Sequence, residues 1–233
     1  MTHPLDNVIW NTLVGPHAVY AAGDRGARRY ARGFSPIAGF ADPLDPDFGA
    51  LRPWCEAGEQ LYCSGWDGPA PAGWRVEADA KMCLMVCASD PPPASGVVPD
   101  AGFGQPLRLG PQHAQQAMEL AQLTRPGPFG LRTIELGDYF GYFEGARLAA
   151  MAGERMHLGR LREISGVCTH PDFQGRGLAR ALMLRLMALQ RGRGQTPFLH
   201  VMSANGGARR LYERLGFRNY LEPVVRVISV RTP

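Results

Sequence analysis

The stretch from His170 to Ala181 reads HPDFQGRGLARA and lies between two segments of different periodicity. Before it, LREISGVCT (161–169) reads as a strand. After it, Leu178, Leu182, Leu186 and Leu189 recur at spacings of four, four and three, the apolar face of an amphipathic helix. The connection carries Gln174, Gly175, Arg176 and Gly177, more small and polar residues than an ordinary turn needs. A helix start leaves its first N–H groups without intrahelical partners and carries roughly half a positive charge. Gly177 lets the backbone approach a ligand, Ala179 keeps the first turn small, and Arg176 and Arg180 add charge. The loop predicts an anion site, and a diphosphate suits it. The bare pattern (Gln or Arg, two residues, Gly, one residue, Gly or Ala) is expected about once by chance in such a chain. Its context gives it weight.

Working outward, TPFLHVM (196–202) predicts the next strand. NGGARRLYERLGF predicts a helix, with Asn205 as N-cap and Gly216 as the left-handed residue that ends it. PVVRVISV closes the chain with a strand. Upstream, QPLRL reads as a strand, GPQHAQQAMELAQLT as a helix stopped by RPGPFG, and YFGYFEGARLAAMAGERM as a hairpin turning near Gly145. This alternation implies an α/β fold with a mixed sheet covered by helices. The run SDPPPASGVVPDAGFGQP, Ser89 to Pro106, is rich in Pro, Gly and Ala and reads as a break. It divides the chain into an N-terminal lobe over 1–90 without a cofactor motif, a linker over 91–106 and a second domain over 107–233. In the first lobe HAVYA, EQLYCSGW and AKMCLMVCA read as strands, with one or two short helices between them.

The bulk composition is that of an ordinary globular protein: 233 residues, 45% hydrophobic, 20% charged, net charge +4. Lys81 is the single lysine, and the arginines are interleaved with acids, which argues against a nucleic-acid surface. No apolar run is long enough to span a membrane, and MTHPLDNVIWNTL has neither the basic start nor the apolar core of a signal peptide. Five cysteines, an odd number, fit reduced thiols and a cytoplasmic location. Cys83 and Cys87 read as buried small apolar residues, and no histidine stands near them at metal-ligand spacing. No metal site is expected.

With strand, loop and helices on the page, VCTHPDFQGRGLARALM followed by LHVMSANGGARRLYERLGF resembles the GCN5-related N-acetyltransferases (GNAT), over about residues 105–230. The C-terminal ARRLYERLGF is closest to the branch called FR47-like. The resemblance implies a mixed-sheet acyl-CoA N-acyltransferase fold in the C-terminal lobe, acetyl-coenzyme A as cofactor, and direct acetyl transfer to an amine. It also implies a smaller N-terminal lobe that is a degenerate copy of the fold, although no second Gln-x-x-Gly-x-Ala motif is present. The diphosphate falls on Gly175, Arg176, Gly177, Leu178, Ala179 and Arg180, with Gln174 opening the motif. The pantetheine arm falls on the backbone of Val167, Cys168 and Thr169, and on Asn205, which is also read as a helix cap. Tyr212 corresponds to the acid that protonates the leaving thiolate; its plainer reading is a core aromatic.

Glu163 stands eleven residues before Gln174, the offset of the catalytic glutamate in the histone acetyltransferase branch. Strand alternation places Glu163, Ser165, Val167 and Thr169 on one face, so Glu163 is the expected general base and Glu154 its runner-up. The plainer alternative is a solvated charge or an ion pair with Arg160 or Arg162. The acceptor is a small-molecule or peptide amine, walled by the RPGPFG loop and part of the N-terminal lobe. Neither nucleic acid nor membrane is expected as a partner, and the chain is a monomer or homodimer. The alternatives are a non-catalytic coenzyme-binding or regulatory module and an acyltransferase for another acyl-CoA.

Overall fold

The structure, a computed structural model, describes residues 3–87 and 103–231. Most of the expected linker, 91–106, lies outside the described residues. The helices are α1 (Val8–Val14), α2 (Phe48–Leu51), α3 (Ala114–Thr124), α4 (Leu178–Gly192) and α5 (Gly206–Arg214). The strands are β1 (Ala21–Gly23), β2 (Ala27–Tyr30), β3 (Ala38–Phe40), β4 (Gln60–Ser64), β5 (Trp74–Cys87) and β6 (Leu107–Arg108). They continue with β7 (Tyr139–Glu144), β8 (Arg147–Leu158), β9 (Leu161–Thr169), β10 (Thr196–Met202), β11 (Phe217–Leu221) and β12 (Val224–Val230).

Strands β1 to β3 form a small antiparallel sheet. The other nine described strands form one sheet in the order β4-β12-β5-β10-β9-β8-β7-β6, with β11 added beside β5. The long strand β5 pairs with β10 and β11 through its C-terminal half and with β12 through its N-terminal half. The first ninety residues therefore supply β4 and β5 to the same sheet that carries the glycine loop. Pairing within this sheet is antiparallel except between β9 and β10, which run parallel.

The local signals explain the elements around the loop. Gly145, at φ 58°, turns β7 into β8 through a two-residue connection. Asn205 caps α5 by accepting from the Ala208 N–H at 3.1 Å, and Gly216 follows that helix at φ 93°. Leu178, Leu182 and Leu186 of α4 are buried against Ile164 and Leu199 on one face of the sheet, with Tyr212 and Leu215 of the α5 segment. Each such leucine contributes about 1.5–3 kcal/mol relative to exposure. On the opposite face, α3 packs Ala117, Leu120 and Ala121 against Tyr139 and Met151, and the N-terminal segment packs Leu5, Val8 and Leu13 near Met156 and Phe198.

Two local expectations differ. HAVYA does not form a strand: Ala18–Tyr20 make a single helical turn, and β1 begins at Ala21. The preceding His17 is fixed by the Tyr30 hydroxyl at 2.8 Å and by His157 at 3.0 Å, so a tertiary contact overrides local propensity. Strand β11 carried no periodic signal, because four of its five residues are exposed and it is held by backbone pairing to β5.

Candidate active site

Strands β9 and β10 pair over three residues only, Leu161 with Thr196, Arg162 with Pro197 and Glu163 with Phe198. Beyond that point each stays bound to its other neighbour, β9 to β8 and β10 to β5, so the two diverge and open a V-shaped gap. Within the gap β9 carries a bulge. Ser165 pairs with Gly153 and Cys168 with Met151, so Gly166 and Val167 oppose Ala152 alone. Gly166 supplies the left-handed backbone, φ 63°, that the bulge requires. The bulge also shifts the strand's alternation. Val167 packs with the α4 and α5 side chains, while Cys168 turns to the α3 side. The expected single face for Glu163, Ser165, Val167 and Thr169 is therefore broken after Ser165.

At the open end of β9 stands the glycine loop. Gln174, Gly175, Arg176 and Gly177 are exposed, and Leu178 is the first anchored residue. Gly175 (φ 79°) and Gly177 (φ 76°) are left-handed, with nothing within 4 Å of the place a Cβ would occupy. They are thus needed for backbone direction and not for tight packing. Gly177 is the N-cap of α4 and provides no side-chain hydrogen bond, and the first turn has no acidic residue. Arg176 lies over the Phe173 ring at 5.4 Å, and Arg180 is half-exposed one turn into the helix. These residues fit a diphosphate: uncapped N–H groups, open space and two cations.

The remaining coenzyme candidates lie on β9 and on α5 beside α4. Val167, Tyr212, Leu178 and Ala208 belong to one packed cluster, with Asn205 exposed at the start of α5. The Asn205 Oδ1 caps the helix, which leaves its amide NH2 for a ligand. Tyr212 is buried, and burial pushes its phenol up to about 12, so it stays protonated at neutral pH. Burial also pushes the Cys168 thiol up to about 12, which keeps it from acting as an acyl carrier.

The surroundings of Glu163 bear directly on its expected base role. The side chain has no exposed surface. Arg155 donates to it twice, Nε to Oε2 at 2.9 Å and Nη2 to Oε1 at 2.7 Å, and the Met156 N–H adds 3.1 Å to Oε2. His200 Nδ1 lies 2.8 Å from Oε1. Burial alone would raise this carboxyl, but the Arg155 charge and the hydrogen bonds from His200 and Arg155 hold it far below the usual range. Such a carboxylate has little appetite for a proton and no open face to receive an amine. The partners Arg160 and Arg162 do not pair with it; Arg162 instead meets Glu154 at 2.8 Å. Glu154 is equally enclosed, bonded by Gln190 Nε2 at 3.1 Å and the Asp138 N–H at 3.2 Å. Gln190 lies twelve residues along α4 from Leu178, roughly 18 Å by helical rise, so Glu154 is remote from the loop.

Three residues here escaped the sequence reading. Arg155 and His200 complete the Glu163 cluster. Tyr139 crosses the sheet on the α3 side: a Cβ on Gly153 would strike its ring at 2.1 Å, and a Cβ on Gly166 would lie 3.6 Å from its hydroxyl. That hydroxyl is buried and has no partner among the described residues. The stretch RMHLGRLRE (155–163) held a hint for Arg155, since residues eight apart across the turn at Gly159 can face each other. On the N-terminal side of the gap lies a cavity of about 760 Å³, bordered by Leu5, Asp6, Ile9, Phe40, His200 and Glu222 among others.

The fold agrees with what the chain is similar to. The model of the family described as FR47-like protein matches residues 139–227. A solved GNAT-family structure from Novosphingobium aromaticivorans is 33% identical, with 99% of this chain and 100% of that chain covered and a TM-score of 0.85. A GCN5-related N-acetyltransferase-like protein and a GCN5-related N-acetyltransferase share the fold at low identity. The Streptococcus suis protein is 14% identical, covering 96% of this chain and 92% of its own at TM-score 0.63. The Kribbella flavida protein is 15% identical, covering 97% and 95% at TM-score 0.60. No curated protein matches. The mixed α/β sheet is the acyltransferase architecture that the resemblance implied. The chain belongs to the GNAT family. No described helix is long and apolar enough to cross a membrane.

Proposed function

We propose that the protein is an N-acetyltransferase that uses acetyl-coenzyme A and passes the acetyl group directly to the amine of a small molecule or peptide. The observation that carries this reading is the loop Gln174–Arg180, a glycine-lined and uncapped helix start beside a splayed parallel strand pair. When bound, the coenzyme supplies an activated acyl thioester. Backbone N–H groups from Gly175 to Arg180, with Arg176 and Arg180, hold its diphosphate. The bulged backbone at Val167 to Thr169 and the Asn205 amide hold the pantetheine, because Gly166 and Val167 together face a single β8 residue. Tyr212, kept protonated by its burial, would be the proton donor to the coenzyme's leaving sulfur. The cavity on the opposite side of the gap receives the acceptor.

Titration calorimetry with acetyl-coenzyme A tests the reading. Wild-type protein binds, and its melting temperature rises with ligand concentration. Gly177→Glu abolishes both effects by placing a carboxylate in the diphosphate space; unchanged affinity in that variant removes the assignment.

A further inference from the structure

We infer that His200 is the general base of the transfer, that Glu163 is a positioning residue for it, and that the acceptor is a primary amine with an apolar body. This deepens the acetyltransferase reading and rests on it.

Hydrogen bonding fixes which nitrogen of the His200 ring carries the proton. An ionised carboxylate only accepts hydrogen bonds. Two donors from Arg155 and one from Met156 keep the Glu163 carboxylate ionised, so the His200 nitrogen 2.8 Å away must be the one that carries hydrogen. That nitrogen is Nδ1. The neutral ring then has its lone pair on Nε2, the form a base requires. No described residue bonds Nε2. His200 is among the residues that border the 760 Å³ cavity, the space from which an acceptor would approach it.

Position supports the same role. Strands β9 and β10 part after the Glu163–Phe198 pair, and His200 is the second residue beyond that parting on β10. Leu199 and Val201 face the α4 and α5 cluster that holds Tyr212, whereas Phe198 packs with the N-terminal segment and His200 shares that face. The gap thus has Tyr212 on one side of the sheet and His200 on the other. An amine entering from the cavity meets the base, and a leaving thiol on the far side meets the acid.

The cavity also describes the acceptor. Leu5, Ile9 and Phe40 give it apolar walls, and Asp6, Asp42 and Glu222 put carboxylates at its border. An ammonium group on an apolar body suits that combination. The charged and titratable groups around His200 are Glu163 and Arg155 from the sheet, Tyr62 and Cys63 from β4, and His3, Asp6, Asp42 and Glu222 lining the cavity.

The step balances as follows. One proton passes from the ammonium to Nε2 and on to solvent. The freed lone pair forms the C–N bond at the thioester carbonyl, and the C–S bond breaks with its electron pair left on sulfur. The nitrogen gives up a second proton, and the sulfur ends as a thiol after protonation by Tyr212, which the second proton restores. The products are an amide, free thiol and one released proton.

The test uses 2-phenylethylamine and acetyl-coenzyme A with wild type, His200→Gln, His200→Ala and Glu163→Gln. Gln retains a donor for Glu163, so His200→Gln keeps its melting temperature and its coenzyme affinity within about twofold. Its kcat/KM falls about 10²–10⁴-fold, and the acidic limb of the pH profile disappears. Added imidazole restores activity to His200→Ala, a result that a purely structural role does not produce. Glu163→Gln lowers kcat/KM about 10–100-fold, the range of an orienting partner. Wild-type rate and pH dependence in His200→Gln overturn the proposal, as does His200→Ala that imidazole does not rescue. Nitrogen-15 spectra read the tautomer whether or not this amine is acetylated: hydrogen on Nδ1 is expected, and hydrogen on Nε2 in the neutral ring overturns the proposal. Wild-type protein that fails to bind acetyl-coenzyme A refutes the enzyme reading itself, a different outcome.

Discussion

At one end of β9 the chain runs into a loop whose glycines stand in the open and whose helix start lacks a side-chain cap. In its first half the same strand holds Glu163 with no exposed surface and every oxygen bonded. The two regions solve different problems. A site for a charged ligand must keep donors unpaired until the ligand arrives, and this is inexpensive only where water can hydrate them meanwhile. A cluster inside the sheet has no such water, so an unpaired charge there costs several kcal/mol and the partners must be present beforehand. Openness at the loop and closure at Glu163 are therefore both expected of a single functional strand.

The contrast is broken most severely by removing Arg155. Arg155→Met leaves the buried Glu163 carboxylate with His200 and one N–H, and stability falls by about 3–5 kcal/mol. The double variant Arg155→Met with Glu163→Met recovers much of that loss, because apolar side chains of similar volume can replace a buried pair. Arg176→Ala in the exposed loop changes stability by no more than about 0.5 kcal/mol. Urea unfolding of the three proteins measures all of this; equal losses at Arg155 and Arg176 remove the distinction.

The same contrast explains which parts were legible in the sequence. The loop is a local object: its strand, glycines and helix are contiguous, and Asn205 and Gly216 mark the ends of α5 by local capping rules. The Glu163 cluster is assembled from β8, β9 and β10, with His200 thirty-seven residues away. Glutamate at a familiar offset carries no information about whether its oxygens are already taken. The bulge at Gly166 is similarly hidden, since a glycine in a strand signals either irregularity or close approach, and here it provides both. The nine-stranded sheet joins β5 to β10 across the Pro-rich stretch, a long-range pairing that no local pattern reports.

The closed region extends to a histidine pair, and pH sharpens the comparison there. Burial, then the neighbouring His157 and Arg162, push His17 down to about 4, and burial and Arg162 lower His157 as well. A depressed histidine is neutral in the fold but takes up a proton near pH 6.5 once unfolded. Its contribution is complete above that value and is lost progressively until pH falls through about 4. Stability is expected to drop by about 2 kcal/mol between about pH 7 and about pH 5 on account of His17 alone. His17→Gln removes that slope while leaving coenzyme affinity at the loop unchanged. Denaturant midpoints across this range decide it; an identical slope in the variant assigns the effect to other groups.

The smallest expected effect lies between the two regions, at Tyr139. Its ring spans Gly153, and its hydroxyl ends beside Gly166 at the bulge, buried and without a partner among the described residues. A buried hydroxyl that bonds nothing retains its desolvation penalty and returns no hydrogen bond. Tyr139→Phe keeps the ring, and with it the packing on Phe129, which lies 5.9 Å away centroid to centroid. Stability should therefore stay level or rise by up to about 1 kcal/mol. A clear loss would mean that an internal water or another fixed group satisfies the hydroxyl, and would extend the fully paired region as far as the bulge. Level stability combined with weaker coenzyme affinity would place the hydroxyl with the glycine loop, among the donors left open for a ligand. Thermal unfolding and calorimetry on this one variant thus locate the boundary along β9 where pairing in advance gives way to pairing with the ligand.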